Sequence, residues 1–208
     1  MIMTTTSCLS ISAFLLRAAP MVALGAGCFF WRRQNNGRAV GGAISLPKSL
    51  WLSYTVIAWF FLPFVFLPHP DLTYELKLLL LLHLGSWWIR GPLELLMIYR
   101  WFNWSPRYGI AHDLLHAAML GTGLVLLRHS LFLHPVNRLA ALFLAVTLLA
   151  TWAETFFAWL FLSIRGHEDH KVYFADNDPK WRLNNRGTAM MVLIVYGHLV
   201  FQAVKAWR

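Results

Sequence analysis

The sequence predicts an all-α membrane protein with six transmembrane helices. Hydrophobic residues make up 58% of the 208 positions and charged residues only 13%, a composition unlike that of soluble domains. Six apolar stretches each approach the roughly 20 residues that cross a bilayer as a helix. They lie at residues 9–31, 49–68, 76–99, 108–127, 139–164 and 188–206. We therefore expect one integral-membrane domain over residues 1–208.

The first stretch and the positions of the basic residues determine the expected topology. Residues 1–12 contain no Lys or Arg, so the first stretch lacks the basic region of a secretory signal and is expected to be a true helix. Eleven Lys and Arg flank the helices on one side, in the connections at 32–48, 100–107 and 165–187, against four on the other side. The positive-inside rule then predicts N-out, C-out. The net charge of +9 is explained by this topology and needs no nucleic-acid partner.

The third to sixth stretches each carry polar or ionisable side chains at helical spacing along one face. Charge inside a membrane is costly and usually marks a site or a pathway, so these four helices are expected to form a polar-centred bundle with the first two outside it. The predicted faces are His83, Trp87, Arg90 and Glu94; His112, His116 and Met119; Thr147, Thr151, Glu154 and Ala158; and Val195, His198 and Gln202.

A metal site is predicted where the third and fourth helices meet. His112 and His116 lie one turn apart on one face, and Glu94 is expected at a similar depth, roughly 7 Å below the cytoplasmic interface. Imidazole with carboxylate is the ligand set of non-haem iron and catalytic zinc, so a divalent metal on these three residues is expected. In the competing interpretation, His112 and Asp113 face lipid headgroups and only His116 is buried.

Further site residues are predicted from depth and charge. Glu94, Glu154 and His170 are the candidate catalytic residues, with His170 contributed by the polar loop at 165–187. Arg90 is expected to pair with Glu154 as a buried ion pair or, with Arg182 and Arg186, to hold an anionic headgroup. A haem between His83 and His198 is geometrically conceivable, but no repeated histidine pair supports it, and haem is not expected.

Three functions follow from this pattern. The first is a metal-dependent enzyme of the cytoplasmic (inner or plasma) membrane that acts on a lipid or isoprenoid entering from the inner leaflet. The second is a subunit or assembly factor of a larger membrane complex, in which the buried charges meet a partner's helices. The third is a small transporter or proton pathway through Glu154, His116 and His198.

Overall fold

Four long helices make up most of the described part of the protein. The computed structural model describes residues 11–35, 46, 49, 59, 62–101, 103 and 105–165. The helices are α1 (Ile11–Gln34), α2 (Tyr74–Leu96), α3 (Pro106–Leu126) and α4 (Pro135–Arg165). A π-helical segment, Met97–Trp101, follows α2, and a 3₁₀ turn, Ser130–Phe132, precedes α4. Over these ranges there is no strand, and the predicted all-α class is confirmed for them.

The six predicted transmembrane helices are only partly accounted for. The first, third, fourth and fifth stretches coincide with α1 to α4. Of the second stretch, only some positions are described, and those at Trp59 and 62–66 are helical. The sixth stretch lies outside the described residues. Among the described helices, two stretches are long and apolar enough to cross a membrane, Arg107–Leu126 in α3 and Pro135–Phe156 in α4. The count of six stays a prediction.

Local sequence signals explain where α3 and α4 begin. Ser105 precedes Pro106 at the start of α3, and its hydroxyl accepts a hydrogen bond from the Arg107 N–H at 3.4 Å. His134 precedes Pro135 in the same way, and its Nδ1 accepts from the Val136 N–H at 3.3 Å. A capping acceptor followed by Pro satisfies an otherwise unpaired N–H and presets the first helical turn.

Asn137 joins the start of α2 to the connection between α3 and α4. Its side chain is fully buried, accepts from the Thr73 N–H at 3.2 Å and donates to the Ser130 carbonyl at 2.9 Å. The connection between α3 and α4 is short, which makes these helices antiparallel neighbours, and they share the most extensive contact in the described structure. The bonds of Asn137 therefore hold α2 beside this helical hairpin.

The buried face of α4 contains three threonines that satisfy their own hydroxyl groups. Thr147, Thr151 and Thr155 donate to the carbonyls four residues earlier at 2.9, 2.8 and 2.9 Å. Such bonds within one helix allow hydroxyl groups to be buried without a partner on another helix. The predicted face of Thr147, Thr151 and Ala158 is buried, and Glu154 is half-buried beside it.

At Gly123, α3 lies very close to a side chain of α2. A Cβ atom there would lie 2.7 and 2.8 Å from the two Cδ atoms of the buried Leu79, whereas a Cβ at Gly121 would meet only the Cδ2 atom of Leu148, at 3.8 Å. Both glycines lie in α3, where alanine is the better helix former. The two positions therefore form a matched pair for measuring the cost of the close approach.

We predict that Gly123→Ala lowers the free energy of unfolding by about 1–3 kcal/mol relative to Gly121→Ala, the usual range for overpacking a buried contact. Denaturant titration of both variants in the same detergent measures the difference. A Gly123→Ala protein as stable as Gly121→Ala would show that Leu79 moves aside without cost.

Candidate functional site

The polar side chains of α2 and α3 meet in one cluster between the two helices. His83, Ser86, Trp87, Arg90 and Glu94 come from α2, and His112, Asp113 and His116 come from α3. We call these eight residues the α2–α3 polar cluster. The spacing of threes and fours puts the α2 members on one side of that helix. The cluster runs from the middle of α2 towards its C-terminal end, where Glu94 lies two residues before the last residue of the helix.

Arg90 is shared by two carboxylates. Its Nε lies 3.2 Å from Glu94 Oε2, and its Nη1 donates to Asp113 Oδ1. The side chains of Arg90, Glu94 and Asp113 are 16%, 28% and 3% exposed, so the group is largely removed from solvent. One guanidinium and two carboxylates give this group a formal net charge of −1 when all three are ionised.

Three imidazoles extend the cluster away from Arg90. His112 Nε2 lies 2.8 Å and His116 Nδ1 3.0 Å from the hydroxyl oxygen of Ser86, so this hydroxyl bridges the two rings. His116 Nε2 lies 3.3 Å from His83 Nδ1, and His83 Nε2 lies 3.3 Å from the carbonyl of Trp59. Because that carbonyl only accepts, a neutral His83 can donate either to it or to His116, but not to both.

The indole of Trp87 sets the direction of the hydrogen bonds as far as Ser86. An indole N–H only donates, and it lies 3.2 Å from His116 Nε2, so this nitrogen is an acceptor and the proton of a neutral His116 is on Nδ1. His116 then donates to the Ser86 oxygen, which can either donate to His112 Nε2 or accept a second hydrogen bond from it. When Ser86 donates, the proton of His112 is on Nδ1, 3.2 Å from Asp113 Oδ1, which can accept it.

Arg90 and Asp113 compete for His112 Nδ1. Arg90 Nη1 lies 3.0 Å from this nitrogen, and because a guanidinium only donates, that contact is a hydrogen bond only when Nδ1 is unprotonated. The contact with Asp113 Oδ1, at 3.2 Å, instead needs the proton on Nδ1. His112 therefore has two tautomers that neighbouring groups can satisfy. Asp113 is the common end of the imidazole chain and the ion-pair group.

Aromatic packing encloses the cluster. The ring of Trp87 lies 4.0 Å from that of Trp59 and 5.2 Å from that of His112, centroid to centroid, and the guanidinium of Arg90 lies 4.8 Å from the Trp87 ring centre. A guanidinium over an indole face is a favourable cation–π contact. The His112 and His116 rings stack with an interplanar angle of 13°. Trp87 thus positions both the cation and the imidazoles.

The structure brings together four of the residues predicted for the site. Arg90, Glu94, His112 and His116 all belong to the α2–α3 polar cluster, but the guanidinium of Arg90 lies between Glu94 and His112. Within the described ranges, no group of three or more His, Cys, Asp or Glu is arranged to hold a metal ion. The metal-ligand set of His112, His116 and Glu94 therefore stays a prediction.

Other predicted residues fall elsewhere. Glu154 is half-buried on α4, and its pairing with Arg90 stays a prediction. His170, Arg182, Arg186 and His198 lie outside the described residues. The alternative in which Asp113 faces headgroups is wrong, because this residue is 2% exposed and is paired with Arg90.

Sequence reasoning missed three members of the cluster as site residues. Ser86 lies three residues after His83 and four before Arg90, so helical spacing could have indicated it. The sequence predicts Asp113 only as an interfacial neighbour of His112, and His83 only as part of the polar face of its helix and as a conceivable haem ligand. Nothing in the sequence pairs Ser86 with His112, because that contact depends on how α2 and α3 face each other.

Comparison of the chain with protein-family models, curated proteins and solved structures gave no match.

We predict that Asp113→Asn lowers the free energy of unfolding by about 1.5–3 kcal/mol, because Arg90 and His112 lose a buried charged acceptor. Asp71→Asn is the control, since the Asp71 side chain is 54% exposed and stays solvated. Thermal or denaturant unfolding in detergent measures both variants. Equal stability of the two would mean that Asp113 contributes no net stabilisation to the α2–α3 contact.

Proposed function

We propose that this protein is a multi-pass enzyme of the cytoplasmic (inner or plasma) membrane that uses the α2–α3 polar cluster for acid–base chemistry on a lipid. The observation that carries the proposal is the burial of hydrogen-bonded imidazoles and carboxylates behind an apolar outer surface.

The distribution of polarity on α3 supports the membrane environment. Asp113 and His116 are each 2% exposed, whereas the adjacent Leu114 and Leu115 are 45% and 75% exposed. On α4, Trp152, Phe156 and Trp159 are also more than half exposed. A helix that buries its ionisable residues and exposes its large apolar ones has a polarity that suits lipid as the surrounding solvent.

The chemistry of the cluster supports proton transfer. All six ring nitrogens of His83, His112 and His116 lie within 3.3 Å of a protein partner. The guanidinium of Arg90 is already shared by two carboxylates, so it has less capacity to hold a phosphate than a solitary arginine would. Histidine beside hydroxyl and carboxylate groups is the usual composition of a general acid–base site.

A lipid substrate and an inner-leaflet entrance follow from the position of the cluster. Glu94 and Arg90 lie near the end of α2 that leads into the connection at 97–105. The distribution of basic residues predicts that this connection is cytoplasmic. A lipid headgroup in the inner leaflet would be at the depth of this end of the cluster. Arg182 and Arg186 are then candidates to hold an anionic headgroup.

A metal-dependent form of the same enzyme is the second candidate. His112 Nε2 and His116 Nδ1 both approach the Ser86 hydroxyl, at 2.8 and 3.0 Å, so two imidazole nitrogens converge on one point. An iron or zinc ion that displaced this hydroxyl would bind both rings and activate water or polarise a substrate. Stoichiometric metal in the purified protein, lost in His116→Ala, would favour this form.

The membrane part of the proposal predicts that the two ends of α3 lie on opposite sides of the bilayer. Single cysteines replace Asn103 and His129, both exposed, in a protein from which Cys8 and Cys28 have been removed. With an impermeant maleimide, intact cells should label position 129 and leave position 103 unlabelled until the membrane is permeabilised. Labelling of both positions from outside would contradict a membrane-spanning α3.

The enzymatic part predicts a change in lipid composition that depends on the cluster. The protein is incubated in vesicles of lipid extracted from its host, and products are followed by mass spectrometry. We expect new lipid species with the wild type and with His129→Ala, and none with His112→Ala. Identical lipid compositions in all three would instead favour a complex subunit or a proton pathway.

A further inference from the structure

We propose that Ser86 is a nucleophile, with His112 as its general base and Asp113 as the residue that positions His112, so that the site cleaves a lipid ester through an acyl-enzyme. This inference rests on the proposed function and specifies its substrate class and reaction. Neither Ser86 nor Asp113 stands out in the sequence as a site residue.

The distances are those that nucleophilic catalysis needs. Ser86 Oγ lies 2.8 Å from His112 Nε2, and His112 Nδ1 lies 3.2 Å from Asp113 Oδ1. A nucleophile within hydrogen-bond reach of a base, with that base oriented by a third group, is the shared geometry of serine hydrolases on unrelated folds. Chain order does not define this arrangement, and here it is Ser86, His112, Asp113.

One of the two His112 tautomers gives the proton positions that these roles need. Because the Trp87 indole N–H donates to His116 Nε2, His116 donates through Nδ1 to Ser86. With the His112 proton on Nδ1 and directed at Asp113, His112 Nε2 is unprotonated and able to accept the Ser86 proton. The bond from His116 to Ser86 Oγ would also stabilise negative charge on this oxygen as its proton leaves.

Burial separates the reacting groups from the positioning group. The His112 side chain is 23% exposed and Ser86 is half-buried, whereas the Asp113 side chain is 3% exposed. The nucleophile and base thus keep surface through which a substrate can approach. The carboxylate of Asp113, 3.2 Å from His112 Nδ1, would stabilise the imidazolium that His112 becomes during the reaction.

The reaction balances with water as the second reactant. Ser86 Oγ forms a bond to the ester carbonyl carbon while its proton passes to His112 Nε2. The bond from that carbon to the alcohol oxygen then breaks, and His112 returns the proton to the departing alcohol. Water next gives a proton to His112 while its oxygen bonds to the acyl carbon. The bond from that carbon to Ser86 Oγ then breaks, His112 returns the proton to Ser86 Oγ, and a carboxylic acid is released.

A fluorophosphonate probe tests the nucleophile directly on the full-length protein in detergent. The probe forms a covalent phosphonate ester with an activated serine and releases fluoride, and peptide mass spectrometry locates the modified residue. We expect one adduct, on Ser86, in the wild type and in Ser130→Ala. We expect none in Ser86→Ala and a rate about 100-fold lower in His112→Ala, the usual contribution of a general base.

The role of Asp113 is tested by the same labelling rate. Asp113→Asn should slow labelling at least about 10-fold, and Asp113→Glu should recover part of it because it restores a carboxylate acceptor. Ser86→Cys provides a second test in case Ser86→Ala does not fold. The Cys thiol should react with iodoacetamide faster when His112 is present than in the double variant that also carries His112→Ala. A loss of rate in Asp113→Asn without recovery in Asp113→Glu would indicate only a structural role.

The outcomes separate this inference from the proposed function. A folded wild-type protein whose Ser86 stays unlabelled overturns the nucleophile, and so does lipid turnover that is unchanged in Ser86→Ala. In the second case the membrane enzyme stands and its chemistry lies elsewhere. Labelling of Ser86 without any conversion of host lipids would instead support the nucleophile and contradict the lipid substrate.

Discussion

The burial of Asp113 is the constraint on which the rest of the described structure depends. A carboxylate that is 2% exposed is costly unless cationic and N–H donors surround it, and here Arg90 donates to Asp113 Oδ1 and His112 Nδ1 lies 3.2 Å from the same oxygen. Arg90 comes from α2, so the requirement fixes which side of α2 faces α3. Once these sides face each other, Ser86 meets His112, and Gly123 further along α3 lets the helix approach Leu79 closely.

Trp87 turns this packing arrangement into a directional one. Histidine and serine can each donate or accept, so a chain made only of them could run either way. An indole N–H can only donate, so its position beside His116 Nε2 leaves His116 Nδ1 to donate to Ser86. The nucleophilic chemistry that we infer uses the His112 tautomer in which Nδ1 donates to Asp113 and Nε2 accepts from Ser86.

The helices were more predictable than the site. Apolar length placed α2, α3 and α4 within a few residues of their observed bounds, because helices need a near-continuous apolar stretch to be buried or to cross lipid. Helical spacing also grouped Arg90 with Glu94 and His112 with His116 correctly. The contacts of Arg90 with Asp113 and of Ser86 with His112 depend on the rotation and register of two helices. On helices that are apolar nearly all round, single-residue patterns do not specify these quantities.

The protonation of His112 and His116 is the most direct test of the central claim, that His116 donates to Ser86 and that His112 presents an unprotonated Nε2 to the Ser86 hydroxyl. Solid-state NMR of ¹⁵N-histidine protein in lipid bilayers distinguishes the two ring nitrogens of each residue, with His112→Ala and His116→Ala used for assignment. The account predicts that both residues are neutral, with the proton on Nδ1 and none on Nε2. A proton on Nε2 of either residue would reverse the chain at that point, remove the base from Ser86 and contradict the account.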